Sequence, residues 1–127
     1  MNFYSAYRTH NYHFKAYGAM FLGQIQAALE ATDEMISTLP PELLKTGSPP
    51  MADWLEGFIS VRQHVLIRFG KWHAILEQEI PEDAELRCVT TAMMRYARAV
   101  ALASLGRVEE AELERDAPRA SGVSRRP

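Results

Sequence analysis

The chain has little of several features that define whole classes of protein. Among its 127 residues is one cysteine, Cys88, which cannot form a disulfide within the chain, so a reducing compartment is expected. No apolar stretch approaches the ~20 residues needed to span a bilayer. The N-terminal segment also lacks the basic and apolar regions of a signal peptide. We therefore expect a soluble, cytoplasmic protein with no membrane partner.

A dominant charge of one sign is missing as well. The chain has 14 Lys and Arg residues against 16 Asp and Glu residues, a net charge of −2. A nucleic-acid-binding domain usually carries a clustered basic face, so no nucleic-acid partner is predicted. The sequence also holds no nucleophile elbow, phosphate-binding glycine loop or zinc-protease His-Glu-x-x-His motif. We therefore predict a non-enzymatic protein with no cofactor and no catalytic residues.

Strand-like alternation is absent, and the sequence instead shows helical periodicity. The stretch from His10 to Pro40 shows it best, as two amphipathic segments that meet at Gly23. Aromatic residues mark one face of the first segment, and we expect this face to be buried because apolar residues three and four apart share one side of a helix. The predicted fold class is all-α, with antiparallel helical hairpins stacked as a short α-solenoid of about three helix pairs. The aromatic residues of that face are Phe14, Tyr17 and Phe21.

Three glycines divide the chain into similar helix–glycine–helix units. Gly23, Gly70 and Gly106 are separated by 47 and 36 residues. Five residues after each glycine stand Ala28, Ile75 and Ala111, of which the two alanines are small enough to let two helices pack closely. A repeat domain is predicted over residues 1–116, with units at about 8–40, 52–80 and 87–116, a proline-rich loop at 41–51 and a disordered tail at 117–127.

These units resemble the tetratricopeptide repeat (TPR) family, whose period is about 34 residues. The most typical piece is GRVEEA at 106–111 after the helical YARAVALASL. The resemblance implies a TPR-like solenoid. Three segments also resemble a bacterial and fungal subgroup of long, poorly characterised TPR proteins, of which the chain would be a fragment or shortened member: HNYHF at 10–14, VLIRFGKW at 65–72 and RYARAVALASLGRVEEA at 95–111.

The resemblance implies a concave groove lined by the first helix of each pair. A groove with aromatic rings, histidines and one arginine suits a peptide or helical segment that carries apolar anchors. The implied function is that of a non-enzymatic scaffold for protein–protein interaction. The implied groove residues are His10, His13, Tyr17, Met20, Ser60, His64, Arg68, Met93 and Tyr96.

Two alternatives stay open at this point. His10 and His13 are three residues apart, so their imidazoles share one helix face and could hold a metal ion together with His64. Such a protein would bind metal and could be hydrolase-like. In the other alternative the end units lack a polar cap, so the chain is a structural fragment that forms homo-oligomers through its exposed repeat ends.

Overall fold

The computed structural model describes residues 3–39, 42, 56–82 and 87–120, and all regular structure in these ranges is helical. The predicted all-α class is therefore confirmed. The predicted loop at 41–51 lies outside the described residues, apart from Glu42, which is helical. None of the described helices is both long enough and apolar enough to cross a membrane. The helices are α1 (Phe3–Phe21), α2 (Ile25–Ser37), α3 (Val61–Arg68), α4 (Trp72–Leu76), α5 (Cys88–Ser104) and α6 (Val108–Ala120).

Each helical hairpin turns on a glycine with left-handed backbone. The φ angles are 71° at Gly23, 64° at Gly70 and 77° at Gly106, a region that residues with a Cβ avoid. At all three sites the glycine N–H bonds to the carbonyl three residues earlier, and the next N–H bonds to the carbonyl five residues earlier. This pair of bonds is a Schellman cap. The predicted glycine boundaries are thus confirmed, with one turn structure used three times.

The residues that close each hairpin lie at fixed distances from its glycine. Four residues before each glycine stands a buried residue of the first helix: Ala19, Leu66 and Leu102. Five residues after it stands a buried residue of the second helix: Ala28, Ile75 and Ala111. Burying a side chain such as Leu or Ile contributes about 1.5–3 kcal/mol to folding. The paired positions therefore hold each helix against its partner.

The three hairpins pack against one another in chain order. Helix α3 contacts both α1 and α2, and α5 contacts both α3 and α4. Among the described helices, no contact joins the first hairpin to the third. The core therefore lies in two successive seams. One combines Ala16, Ala19, Ala28, Ala31, Met35, Val61 and Val65; the other combines Leu66, Ile75, Ala97 and Ala101.

The second and third hairpins are also joined by a buried carboxylate. Glu56, which is 1% exposed, accepts hydrogen bonds from the backbone N–H of Thr90 at 2.8 Å and from the Thr90 hydroxyl at 3.2 Å. Thr90 lies in the first turn of α5, where N–H groups have no partner within the helix. Glu56 therefore caps α5 from a position 34 residues earlier in the chain.

The first helix differs from the prediction in the face that it buries. Its inner face carries Ala16 and Ala19, whereas Phe14 is 61% exposed and Phe21 is 80% exposed. The expectation that the Phe14–Tyr17–Phe21 face is buried is wrong. The reason is that alanine lets α2 approach α1 closely, which turns the larger aromatic residues outward.

The C-terminal helix differs from the prediction in two ways. Helix α6 continues to Ala120, so residues 117–120 are helical rather than part of a tail, and residues 121–127 lie outside the described ranges. Its outward side is also polar. In the first hairpin, Leu29 of α2 packs on α3 and Asp33 of α2 forms an ion pair with α3. The residues at the same distances after Gly106 are Glu112 and Asp116. These two acids pair with Arg115, so this side of α6 carries charged side chains.

Candidate functional site

His13, one of the predicted groove residues, contacts an aromatic ring of each of the first two hairpins. Its imidazole lies 5.1 Å from the ring of Tyr17 and 5.5 Å from the ring of Phe58, measured between centroids. Phe58 belongs to the helical turn that precedes α3, so this contact joins α1 to the second hairpin. The sequence reasoning missed Phe58. The sequence position of Phe58 does not by itself predict this contact, because the contact depends on how the second hairpin packs against α1.

The environment of His13 favours its neutral form. Partial burial lowers the pKa of this imidazole from its ordinary value of 6.5, and the nearby imidazoles of His10 and His64 lower it further. A neutral imidazole has one hydrogen-bond donor and one acceptor, so it can bind a peptide group without bringing a charge.

The other predicted residues occupy repeated positions on three adjacent helices. Tyr96 lies ten residues before Gly106, as His13 lies ten residues before Gly23. His64 lies six residues before Gly70, as Tyr17 lies six residues before Gly23. Because α3 contacts both α1 and α5, these positions lie on neighbouring helices. We call the following set, which is exposed or partly exposed, the groove surface: His10, His13, Tyr17, Met20, His64, Arg68, Met93 and Tyr96.

Ser60 does not belong to this surface. It is 4% exposed, and its hydroxyl donates a hydrogen bond to the carbonyl oxygen of Glu56 at 3.1 Å. The hydroxyl is therefore satisfied inside the fold and is not accessible to a partner. The predicted contact role of Ser60 is wrong because the packing of the second hairpin encloses it.

The alternative metal site is not assembled. Among the described residues, no group of three or more His, Cys, Asp or Glu side chains is arranged to hold a metal ion, and this includes His10, His13 and His64. The first two imidazoles contact an aromatic ring instead, with centroid distances from Phe14 of 4.6 Å and 6.1 Å.

A concave region that was not predicted from the sequence lies between α5 and α6. It has a volume of about 510 Å³ and is lined in part by Arg95, Arg98 and Glu114. The guanidinium of Arg98 donates to Glu114 at 2.7 Å and to the carbonyl oxygen of Leu76 at 2.9 Å, and Arg95 donates to Glu114 at 3.1 Å. These bonds hold α4, α5 and α6 together, so the arginines of this cleft have a structural role.

Comparisons with known proteins give no relative from which a function could be transferred. The chain matches no known protein family, no curated protein and no solved structure. The TPR resemblance therefore stays a prediction.

Proposed function

We propose that the chain is a short TPR-like solenoid that acts as a non-enzymatic scaffold for protein–protein interaction. The observation that carries this proposal is the repeated hairpin, with three positive-φ glycines and, among the described helices, packing between successive hairpins only. In such a stack the first helices lie side by side, and their exposed side chains form one extended surface. The groove surface would then receive a peptide or a helical segment.

The composition of the groove surface defines the kind of ligand expected. Tyr17 and Tyr96 are 44% and 52% exposed, and tyrosine is among the residues most often responsible for binding energy at interfaces. The rings would contact apolar anchor residues, while the neutral imidazole of His13 would bind the peptide backbone. Arg68 is exposed and basic, so an acidic residue beside the anchors would strengthen binding.

The test is to select peptides from a displayed library on the immobilised full chain and to measure their affinity by calorimetry. We expect Tyr96→Ala and His64→Ala each to weaken binding about tenfold or more, which corresponds to about 1.4 kcal/mol. Both side chains are exposed, so neither change should disturb folding. Leu113→Ala is the matched control, because Leu113 is 72% exposed on α6 and lies outside the groove surface.

Circular dichroism of all three variants should show equal helicity. If the selected peptides bind both groove variants as tightly as the unmodified chain, the groove assignment is wrong. If only Leu113→Ala weakens binding, the ligand sits on α6 and not on the first helices.

A further inference from the structure

Charge is segregated between the first and the second helices of the hairpins. The first helices, α1, α3 and α5, contain no Asp or Glu. The second helices, α2, α4 and α6, contain no lysine, and α6 alone among them contains arginine, beside five acidic residues. The first helices, which carry the groove surface, are therefore the basic ones. Their lysine and arginine residues are Arg8, Lys15, Arg62, Arg68, Arg95 and Arg98.

Most of these basic residues are directed to the second helices. Arg8 stands seven residues before Lys15, so it lies on the same side of α1 as Lys15 and its acidic partner on α2. Arg68 is different, because it is exposed and forms no ion pair with any described residue. The ion pairs of the others are Lys15 with Glu34, Arg62 with Asp33, and Arg95 and Arg98 with Glu114.

The groove surface adds three histidines to this unpaired charge. His10, His13 and His64 are three of the four histidines of the chain. His64 and Arg68 are four residues apart, so they share one face of α3. No member of the groove surface is acidic. Histidine changes its charge between about pH 5 and pH 8, so mild acidification adds positive charge to a surface that has no carboxylate of its own.

The carboxylates of the elements packed on α1 and α3 have partners of their own. On α2, Asp33 and Glu34 form ion pairs, and Glu30 accepts a hydrogen bond from within the same helix. Glu56, before α3, is bonded to the first turn of α5. The other ionisable groups of α4 and α5 are of types that carry no negative charge between about pH 5.5 and 7.5, namely His73, Cys88, Arg95, Tyr96 and Arg98.

His13 is the groove histidine that resists protonation. Partial burial lowers its pKa from 6.5, and the nearby imidazoles of His10 and His64 lower it further. Its ring is packed against those of Tyr17 and Phe58. His10 and His64 are exposed, so proton uptake would act through these two side chains. A neutral His13 could still bind the peptide backbone.

We propose that the ligand of the groove surface is an acidic segment and that mild acidification strengthens its binding, because its carboxylates pair with Arg68 and with the protonated His10 and His64. This inference rests on the proposed function, since it concerns the same surface. Asp and Glu side chains stay ionised down to about pH 4. Lowering the pH from about 7.5 to about 5.5 therefore adds charge to the groove and removes none from the ligand.

Peptides selected from a displayed library on the immobilised full chain at about pH 5.5 provide the probe. We expect them to be enriched in Asp and Glu. Calorimetry should show that the tightest of them binds about tenfold more tightly at about pH 5.5 than at about pH 7.5. The matched control peptide has Asn and Gln in place of its Asp and Glu and should show no such gain. It also reports any effect of pH on the protein itself.

The ratio of the two affinities is the readout in the variants, so that the loss of a direct contact is not mistaken for the loss of proton coupling. His10→Gln combined with His64→Gln should abolish the gain on acidification, because glutamine does not take up a proton. Arg68→Gln should weaken the acidic peptide at both pH values and keep the gain. His73→Gln is the matched control and should also keep it, because His73 is exposed on α4, outside the groove surface.

Three results would overturn the inference: selected peptides without acidic residues, an affinity for the acidic peptide that does not change with pH, and a gain that survives in the double histidine variant. If such peptides bind and Tyr96→Ala still weakens them, the proposed function stands without this inference. If no peptide binds at either pH value, or if Tyr96→Ala has no effect, the groove assignment and this inference are both wrong.

Discussion

Substitution of Gly106 would change stability through backbone conformation and not through packing. A Cβ placed on this residue would meet no atom within 4 Å, so it would cause no clash. Its φ of 77° is nevertheless in the left-handed region. Any loss of stability on substitution must therefore come from the backbone. The same argument applies to Gly23, whose surroundings are equally open.

We predict that Gly106→Ala lowers the free energy of unfolding by about 1–2 kcal/mol, the cost of holding a residue with a Cβ in the left-handed region. Gly57→Ala is the matched control, because Gly57 is exposed and helical and its added Cβ also meets nothing within 4 Å. There alanine should raise the free energy of unfolding by up to about 1 kcal/mol. Urea denaturation measures both, and effects of the same sign would contradict the assignment.

At the scale of the helix, α5 depends on a partner distant in sequence. Its preceding residue, Arg87, makes no side-chain capping hydrogen bond, and its first turn contains no acidic residue. The Glu56 carboxylate fulfils that role, since it accepts the Thr90 N–H and lies at the positive end of the helix dipole. Positioning of α5 therefore depends on folding of the second hairpin.

We predict that Glu56→Ala lowers the free energy of unfolding by about 2–3 kcal/mol, because the buried N–H and hydroxyl of Thr90 lose their acceptor. Glu56→Gln should have a smaller effect, since its amide oxygen can still accept a hydrogen bond. Thermal or urea denaturation gives both values. Glu109→Ala, at an exposed position of α6, is the control. A loss at Glu56 no larger than that control would show that the contact contributes little.

At the scale of the whole molecule, the hairpins differ in how many neighbours support them. Helix α3 contacts α1, α2, α4 and α5, and four of its residues are buried. Helix α6 contacts only α5 among the described helices. In a stack whose stability comes from intrinsic and nearest-neighbour terms, the element with one neighbour should open first.

We predict that amide hydrogens of α6 exchange through local openings that need less free energy than the openings that expose α3. Native-state hydrogen exchange followed by mass spectrometry would measure this, with peptides covering 108–117 and 61–68. The difference should be on the order of 1 kcal/mol or more. Equal protection of the two helices at rising denaturant would show instead that the molecule opens as one unit.

The candidate site shows where prediction from the sequence reaches its limit. The TPR resemblance assigned His13, Tyr17, His64 and Tyr96 to the first helices of the three units, and these helices contact one another in chain order. It could not show that Ser60 is enclosed, because that depends on how neighbouring segments pack around it. Partner binding by this surface stays a prediction.

The sequence by itself determined the helices and the turns between them, because both depend on local interactions. Glycine adopts positive φ without strain wherever it stands, and helical periodicity is a property of neighbouring residues. Only the tertiary structure decided that Ala16 rather than Phe14 faces inward and that Glu56 caps α5. These outcomes depend on which helix approaches and how closely, and residues distant in the chain set that distance. The aromatic face left on α1 is a consequence of that packing.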